Sequence, residues 1–223
     1  MRIVIPVFPD FTVLDAIGPY QVLEMMPGAE MVFAARTRDP VTDDRGGLTL
    51  VPAATFDEIE SADVLVVPGG PGARHSVGDE ALLDWIRRIH ETTSWTTSVC
   101  TGSILLGAAG LLRGLNATTH WTAIELLEAY GATYTAERVV RQGRIITAAG
   151  VSSGIDMALT LAEIISGRVA AEAFQLMIEY DPQPPFDSGS LAKASPEAKA
   201  YWTDRAHEEA AATVSAAAAP AAG

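Results

Sequence analysis

Thr96-Thr-Ser-Val-Cys-Thr-Gly-Ser-Ile-Leu-Leu-Gly-Ala-Ala109 reads as a strand over residues 96–99 that turns without a linker into a helix of small residues over 101–109. A strand feeding a helix directly is half of a βαβ unit, and the rest of the chain repeats the pattern. Residues 2–8 (RIVIPVF) and 63–67 (DVLVV) are short runs rich in branched side chains, as expected for strands covered on both faces. The first stops at Pro9-Asp10 and the second at Pro68-Gly-Gly-Pro-Gly72. Further strands are expected at 31–35 and, after the Asp43-Asp-Arg-Gly-Gly47 turn, at 48–51. Residues 138–148, with Gln142-Gly143 at their middle, read as a hairpin. Helices are expected from Pro19 to about Met26, over 81–89, over 121–130 with Gly131 as the stop, and over 151–165. Alternation of this kind implies an α/β fold, a doubly wound, mostly parallel sheet with helices on both faces, whose ligands sit beyond the carboxyl ends of the strands.

The chain has 223 residues, 48% hydrophobic and 19% charged, enough for one sizeable core. We expect a single domain over 1–190, then a C-terminal helix over 193–211 and a frayed Ala-rich tail within 191–223. The formal net charge of −13 repels polyanions, which argues against nucleic acid and anionic membrane surfaces as partners. The apolar run at the N-terminus is too short for a signal-peptide core, and no stretch reaches the roughly 18 apolar residues of a membrane span. A single cysteine permits no internal disulfide and no thiolate cluster for zinc, so a reducing, cytoplasmic setting and no metal are expected.

That cysteine, Cys100, sits where the strand turns into the helix, the geometry of a nucleophile elbow. The helix start aims N–H groups and its positive end at the thiol, so a lowered thiol pKa and an oxyanion site are expected. The alternative is a small buried core thiol. Asp15 follows the first strand and is expected just ahead of the Pro19 helix, as a cap or as a proton-handling carboxyl beside the thiol. Gly69 and Gly70 follow a central strand, where backbone without Cβ lets N–H groups approach a bound anion. The small residues of Thr147-Ala-Ala-Gly-Val-Ser-Ser-Gly154, Gly150 and Val151 among them, line a pocket or pack strand against helix. His120 and Trp121 are candidates for the pocket wall or for core. His75, His90 and His207 carry no motif and are expected at the surface. Thr101 stands where a cysteine–histidine hydrolase would carry its histidine, which disfavours that class.

Leu14-Asp15 with Gly18-Pro19, Val67-Pro-Gly-Gly-Pro-Gly72, Ser98-Val-Cys-Thr-Gly102, Gly107-Ala-Ala-Gly-Leu-Leu112, Ala117-Thr-Thr-His-Trp121 and Gly154-Ile-Asp-Met-Ala-Leu159 together resemble the ThiJ/PfpI superfamily, and within it the isocyanide-hydrating branch. The resemblance runs from the first strand to the Tyr180-Asp-Pro-Gln-Pro-Pro-Phe186 loop. It implies a flavodoxin-like sandwich, a homodimer, no cofactor, and addition of water to an isocyanide substrate to give an N-substituted formamide. It also implies Cys100 as nucleophile, Asp15 as its carboxyl partner, Thr101 beside the thiol, and backbone groups of Gly70 and Val151 facing the site. Proteolytic and glyoxalase-like members usually carry a glutamate on the first helix and often a histidine after the cysteine, and this chain has neither.

Two other readings fit the same segments. Sensor domains of AraC-type regulators share the Asp-Xaa-Xaa-Gly-Pro, Cys-Thr-Gly and Thr-His-Trp stretches, which would make the chain a ligand-binding module. A carbonyl- or peroxide-stress protein would use Cys100 as an oxidisable thiol.

Overall fold

The computed structural model describes residues 1–205. In chain order the elements are β1 (Arg2–Pro6), α1 (Val13–Leu23), β2 (Glu30–Ala35), β3 (Val41–Thr42), β4 (Thr49–Leu50), β5 (Ala54–Thr55), β6 (Val64–Val67), α2 (Pro71–His75) and α3 (Glu80–Thr92). They continue with β7 (Trp95–Val99), α4 (Gly102–Ala108), β8 (Asn116–Ala117), α5 (Ile124–Ala129), β9 (Thr133–Tyr134), β10 (Val139–Gln142), β11 (Ile145–Ala148), α6 (Ser153–Ser166) and α7 (Arg168–Met177). The described residues fall into two compact units, one over Met1–Tyr180 and one beginning at Asp181. In the second, residues 196–205 are helical. The helix thus begins at 196, since residues 193–195 are not helical, and the part expected beyond 205, the Ala-rich tail and His207 lie outside the described residues.

Seven strands form the central sheet in the order β10-β11-β7-β6-β1-β2-β5. Every pairing is parallel except β10 with β11, which close a hairpin around Gly143. The apolar runs occupy the middle, where β1 and β6 are buried on both faces, as a parallel sheet covered by two helical layers requires. The order reverses beside β1, since β2 lies to one side and β6, β7 and β11 to the other. The sheet is therefore doubly wound and flavodoxin-like, with its crevice at the carboxyl ends of β1 and β6.

Several helices depart from expectation. The first starts at Val13, so Asp15 lies inside α1 and Pro19 interrupts its middle. A proline there forfeits one backbone hydrogen bond. Burial of Ala16, Gly18, Pro19, Val22 and Leu23 outweighs that loss, with the Gly18 and Gly154 backbones letting α1 and α6 approach closely. The Pro-Gly-Gly-Pro-Gly turn contains a short helix, α2, begun by Pro71. Residues 121–123 form a 3-10 turn before α5, and α6 begins at Ser153 because Gly150 and Val151 make the turn from β11.

His90 is not a surface residue. It is 8% exposed at the end of α3, and the bonding around it assigns its proton. Thr93 Oγ1 donates to the His90 carbonyl, so Thr96 Oγ1 donates to Thr93 Oγ1 and accepts from His90 Nδ1–H. Nε2 is left to accept from the Arg144 guanidinium at 2.9 Å. Burial, and then the charge of Arg144, hold the His90 pKa below its ordinary 6.5, while Glu91 pulls it the other way. A depressed histidine pKa stabilises the fold above the unfolded-state value, and that stability is lost as pH falls from about 6.5 towards the folded-state value. Urea unfolding of wild type and His90→Gln at several pH values from about 7 to 5 checks this. The stability gap between the two proteins should narrow on acidification, and a constant gap would contradict the assignment.

Candidate active site

The carboxyl ends of β1, β6, β7 and β11 bring together Asp15, Gly69, Gly70, Cys100, Thr101 and the 149–152 turn. Cys100 follows directly on β7 with a φ of 58°, in the left-handed region that is uncommon for a non-glycine residue and that a nucleophile elbow requires. Its N–H donates to the carbonyls of Ala148 and Ala149, and its carbonyl accepts from the hydroxyls of Ser103 and Thr119, both at 3.1 Å. The turn then needs Gly102, since a Cβ there would stand 2.1 Å from the Val67 carbonyl oxygen. Cys100 as a whole residue is 5% exposed, so its thiol is largely shielded from solvent.

Asp15 is fully buried. Its Oδ2 accepts the Gly69 N–H at 3.0 Å. Among the described residues Oδ1 has no hydrogen-bond partner, and the Cys100 thiol lies close enough to the carboxyl for each group to move the other's pKa. Burial raises the Asp15 pKa from 3.8 to about 7, against the Gly69 N–H and the thiol, with Asp44 adding a small push upward. Asp15 is thus no helix cap; its oxygens are turned to the β6 loop and the elbow.

The thiol pKa is raised, not lowered. Burial is the main cause and the Asp15 charge the second, and they outweigh the Val151 and Thr101 N–H groups directed at the sulfur. The helix end lowers the thiol pKa as expected, but α4 is short and the site is buried and already holds a carboxyl. At rest the pair is a protonated thiol donating to a carboxyl that titrates near neutrality.

The glycine turn serves a different purpose from the one its composition suggests. The Gly70 N–H donates to Thr101 Oγ1 at 2.8 Å, and that hydroxyl donates back to the Gly70 carbonyl at 3.0 Å. With Gly69 committed to Asp15, both N–H groups are engaged within the protein. Gly69 is required because a Cβ would lie 2.5 Å from the Thr101 nitrogen. The N–H groups that face the sulfur are those of Thr101 and Val151. Val151 has a φ of 23°, strained for a β-branched side chain.

His120 closes the Gly150 side, where a Cβ on the glycine would touch its ring at 2.7 Å. Burial, and then the charge of Arg74, lower its pKa to about 4, so the ring is neutral at pH 7. Thr122 N–H points at its Nδ1, which places the ring proton on Nε2, and the half-buried Trp121 lies against it with centroids 5.7 Å apart. Sequence reasoning gave no role to Thr119, Ser103 or the carbonyls at 148–149, since hydroxyl and backbone contacts to a main-chain oxygen leave no residue-type signature. Among the described residues, no group of three or more His, Cys, Asp or Glu side chains is placed to share a metal ion, and no helix is long and apolar enough to cross a membrane.

Residues 1–164 match the model of the DJ-1/PfpI family. The chain is 46% identical over 183 residues to an isonitrile hydratase of Pseudomonas putida, covering 82% of this chain and 80% of that one. A crystal structure of a ThiJ/PfpI family protein from Pseudomonas syringae superposes with a TM-score of 0.88 at 39% identity, covering 93% and 86% of the two chains. A helix-turn-helix-type transcriptional regulator of Pseudomonas aeruginosa is 32% identical over 117 residues, 52% of this chain and 34% of that one.

Proposed function

The chain belongs to the DJ-1/PfpI family, and on that premise we propose that it is a cysteine-dependent isocyanide hydratase, a lyase that converts an isocyanide and water to an N-substituted formamide. The observation that carries the reading is the buried pairing of the Cys100 thiol with the Asp15 carboxyl, with Thr101 in place of a catalytic histidine. Its likeness to the Pseudomonas putida isonitrile hydratase supports the same chemistry, because isonitrile and isocyanide name one functional group.

The terminal carbon of an isocyanide takes both a nucleophile and a proton, and the pair holds one of each. Sulfur bonds to the carbon while the thiol proton passes through the Asp15 carboxylate to that carbon, giving a thioimidate, Cys–S–CH=N–R. Water then adds across the C=N bond, with Asp15 taking a water proton and the nitrogen gaining one. The C–S bond breaks, the hydroxyl proton returns through Asp15 to sulfur, and the formamide leaves. A carboxyl with a pKa of about 7 suits three transfers near neutral pH. The Thr101 and Val151 N–H groups stabilise the charge on sulfur as that bond is made and broken. The reading carries a homodimer without cofactor in a reducing cytoplasm.

Incubating the purified chain with an alkyl isocyanide and following formamide by mass spectrometry tests the proposal, and absence of product would sink it. A ligand-sensing module remains the second reading on the strength of the regulator match. In the same experiment it would give saturable binding without formamide. Peroxide sensing is disfavoured because a thiol held protonated reacts slowly with oxidant.

A further inference from the structure

The turn that carries the Val151 N–H is tied at both ends to one residue. Arg138 lies just before β10, and its carbonyl accepts the Ala149 N–H at 2.9 Å, while the Ala149 carbonyl accepts the Cys100 N–H at 2.9 Å. The Arg138 guanidinium reaches past the turn to pair with the carboxylate of Asp156 in the first turn of α6, and donates to Ser152 Oγ at 3.3 Å. The second Asp156 oxygen accepts the Tyr180 hydroxyl at 2.7 Å, and the Tyr180 carbonyl accepts from Gln175 Nε2 at 3.0 Å. Val151 sits between these anchors with its φ of 23°. A β-branched residue does not hold that conformation by preference, so neighbours must impose it.

The ion pair is poorly placed to serve stability alone. The Arg138 and Asp156 side chains are 49% and 27% exposed, and pairs of that exposure contribute little to folding. A planar guanidinium on a carboxylate whose other oxygen is also bonded does fix direction, and here it fixes the start of α6. We propose that Arg138, Asp156 and Tyr180 are positioning residues that hold the Val151 N–H against the Cys100 sulfur, where it stabilises charge as the C–S bond forms and breaks. The effect on turnover rests on the hydratase reading, whereas the effect on the thiol does not.

The test uses the full chain and the variants Asp156→Asn, Tyr180→Phe, Arg138→Ala and Arg138→Lys. The rate of Cys100 alkylation by iodoacetamide is measured from about pH 6 to 10, together with kcat and KM for an alkyl isocyanide. A displaced donor costs less than a deleted one, so Asp156→Asn should move the alkylation profile to higher pH and lower kcat roughly tenfold with KM little changed. Tyr180→Phe should shift both the same way by less, and Arg138→Lys should recover part of what Arg138→Ala loses. If the variants melt earlier but alkylate as wild type does, the cluster is merely structural and the proposal is overturned. Should Asp156→Asn fail to fold, Tyr180→Phe, which deletes one hydroxyl, decides the matter on the same readout. A shifted thiol profile in a protein that makes no formamide would defeat the hydratase reading and leave the positioning role standing. Formamide production with an unmoved profile would do the reverse.

Discussion

Cys100→Ser removes isocyanide turnover, with a loss of at least about a thousandfold in kcat, while thermal unfolding stays within a few degrees of wild type. The size of the loss follows from the role of sulfur in every step. It is the atom that bonds to the isocyanide carbon and the leaving group that frees the formamide. A serine hydroxyl fits the same elbow and can accept from the Thr101 and Val151 N–H groups and donate to Asp15, so the fold has no reason to open. It is a far weaker nucleophile, and no histidine stands beside it to take its proton. Steady-state formamide production checks the first half and a melting curve the second. Residual activity above a few per cent would place the covalent step elsewhere, and a mass increase equal to one isocyanide on trapped wild-type protein, absent in Cys100→Ser, would locate it on the sulfur.

Much of this arrangement is legible in the chain because the strands that build it are buried on both faces and are therefore plain apolar runs. Residues 3–5 and 64–67 could hardly sit anywhere but the centre of a parallel sheet, and once they do, the elbow at Cys100 and the loop holding Asp15 meet at one edge. Pro19 misleads for a physical reason. Its preference for a helix start is local, whereas its burial against α6 is tertiary and stronger. Helix α7 escapes notice because Val169, Leu176 and Met177 stand exposed on it, so its apolar pattern does not report which face is inside. The thiol is the instructive case. A helix end, a neighbouring carboxyl and burial push its pKa in opposite directions, and only their distances and the extent of burial decide the sign. His90 is hidden likewise, since its neutral state is imposed by burial and by Arg144, which lies 54 positions away.

Asp15→Asn should lose activity and gain stability together. The amide oxygen can accept the Gly69 N–H as Oδ2 does, so the β6 loop keeps its bond, and the amide nitrogen occupies the place of the oxygen that faces the thiol. What disappears is the ability to take and return a proton, needed once in the addition of sulfur and twice in hydration, and kcat should fall by roughly 10²- to 10⁴-fold. The stability gain follows from linkage. The folded state raises the Asp15 pKa from 3.8 to about 7, so the folded protein holds a proton that the unfolded chain releases throughout that interval. Stability from this group is therefore full below about pH 3.8 and is lost as pH rises towards 7, a cost on the order of 4 kcal/mol at neutrality. An uncharged amide escapes that cost but is itself desolvated, so about 1–3 kcal/mol should be recovered, or several degrees in melting temperature. The gain should be largest at pH 7 and above and vanish only well below pH 3.8, where the wild-type carboxyl is protonated in both states. A melting-temperature difference that grows on acidification would reverse the sign and mean that Asp15 is buried as a stabilised anion. In that case the thiol would donate to a fixed charge, and proton transfer to the isocyanide carbon would need another donor.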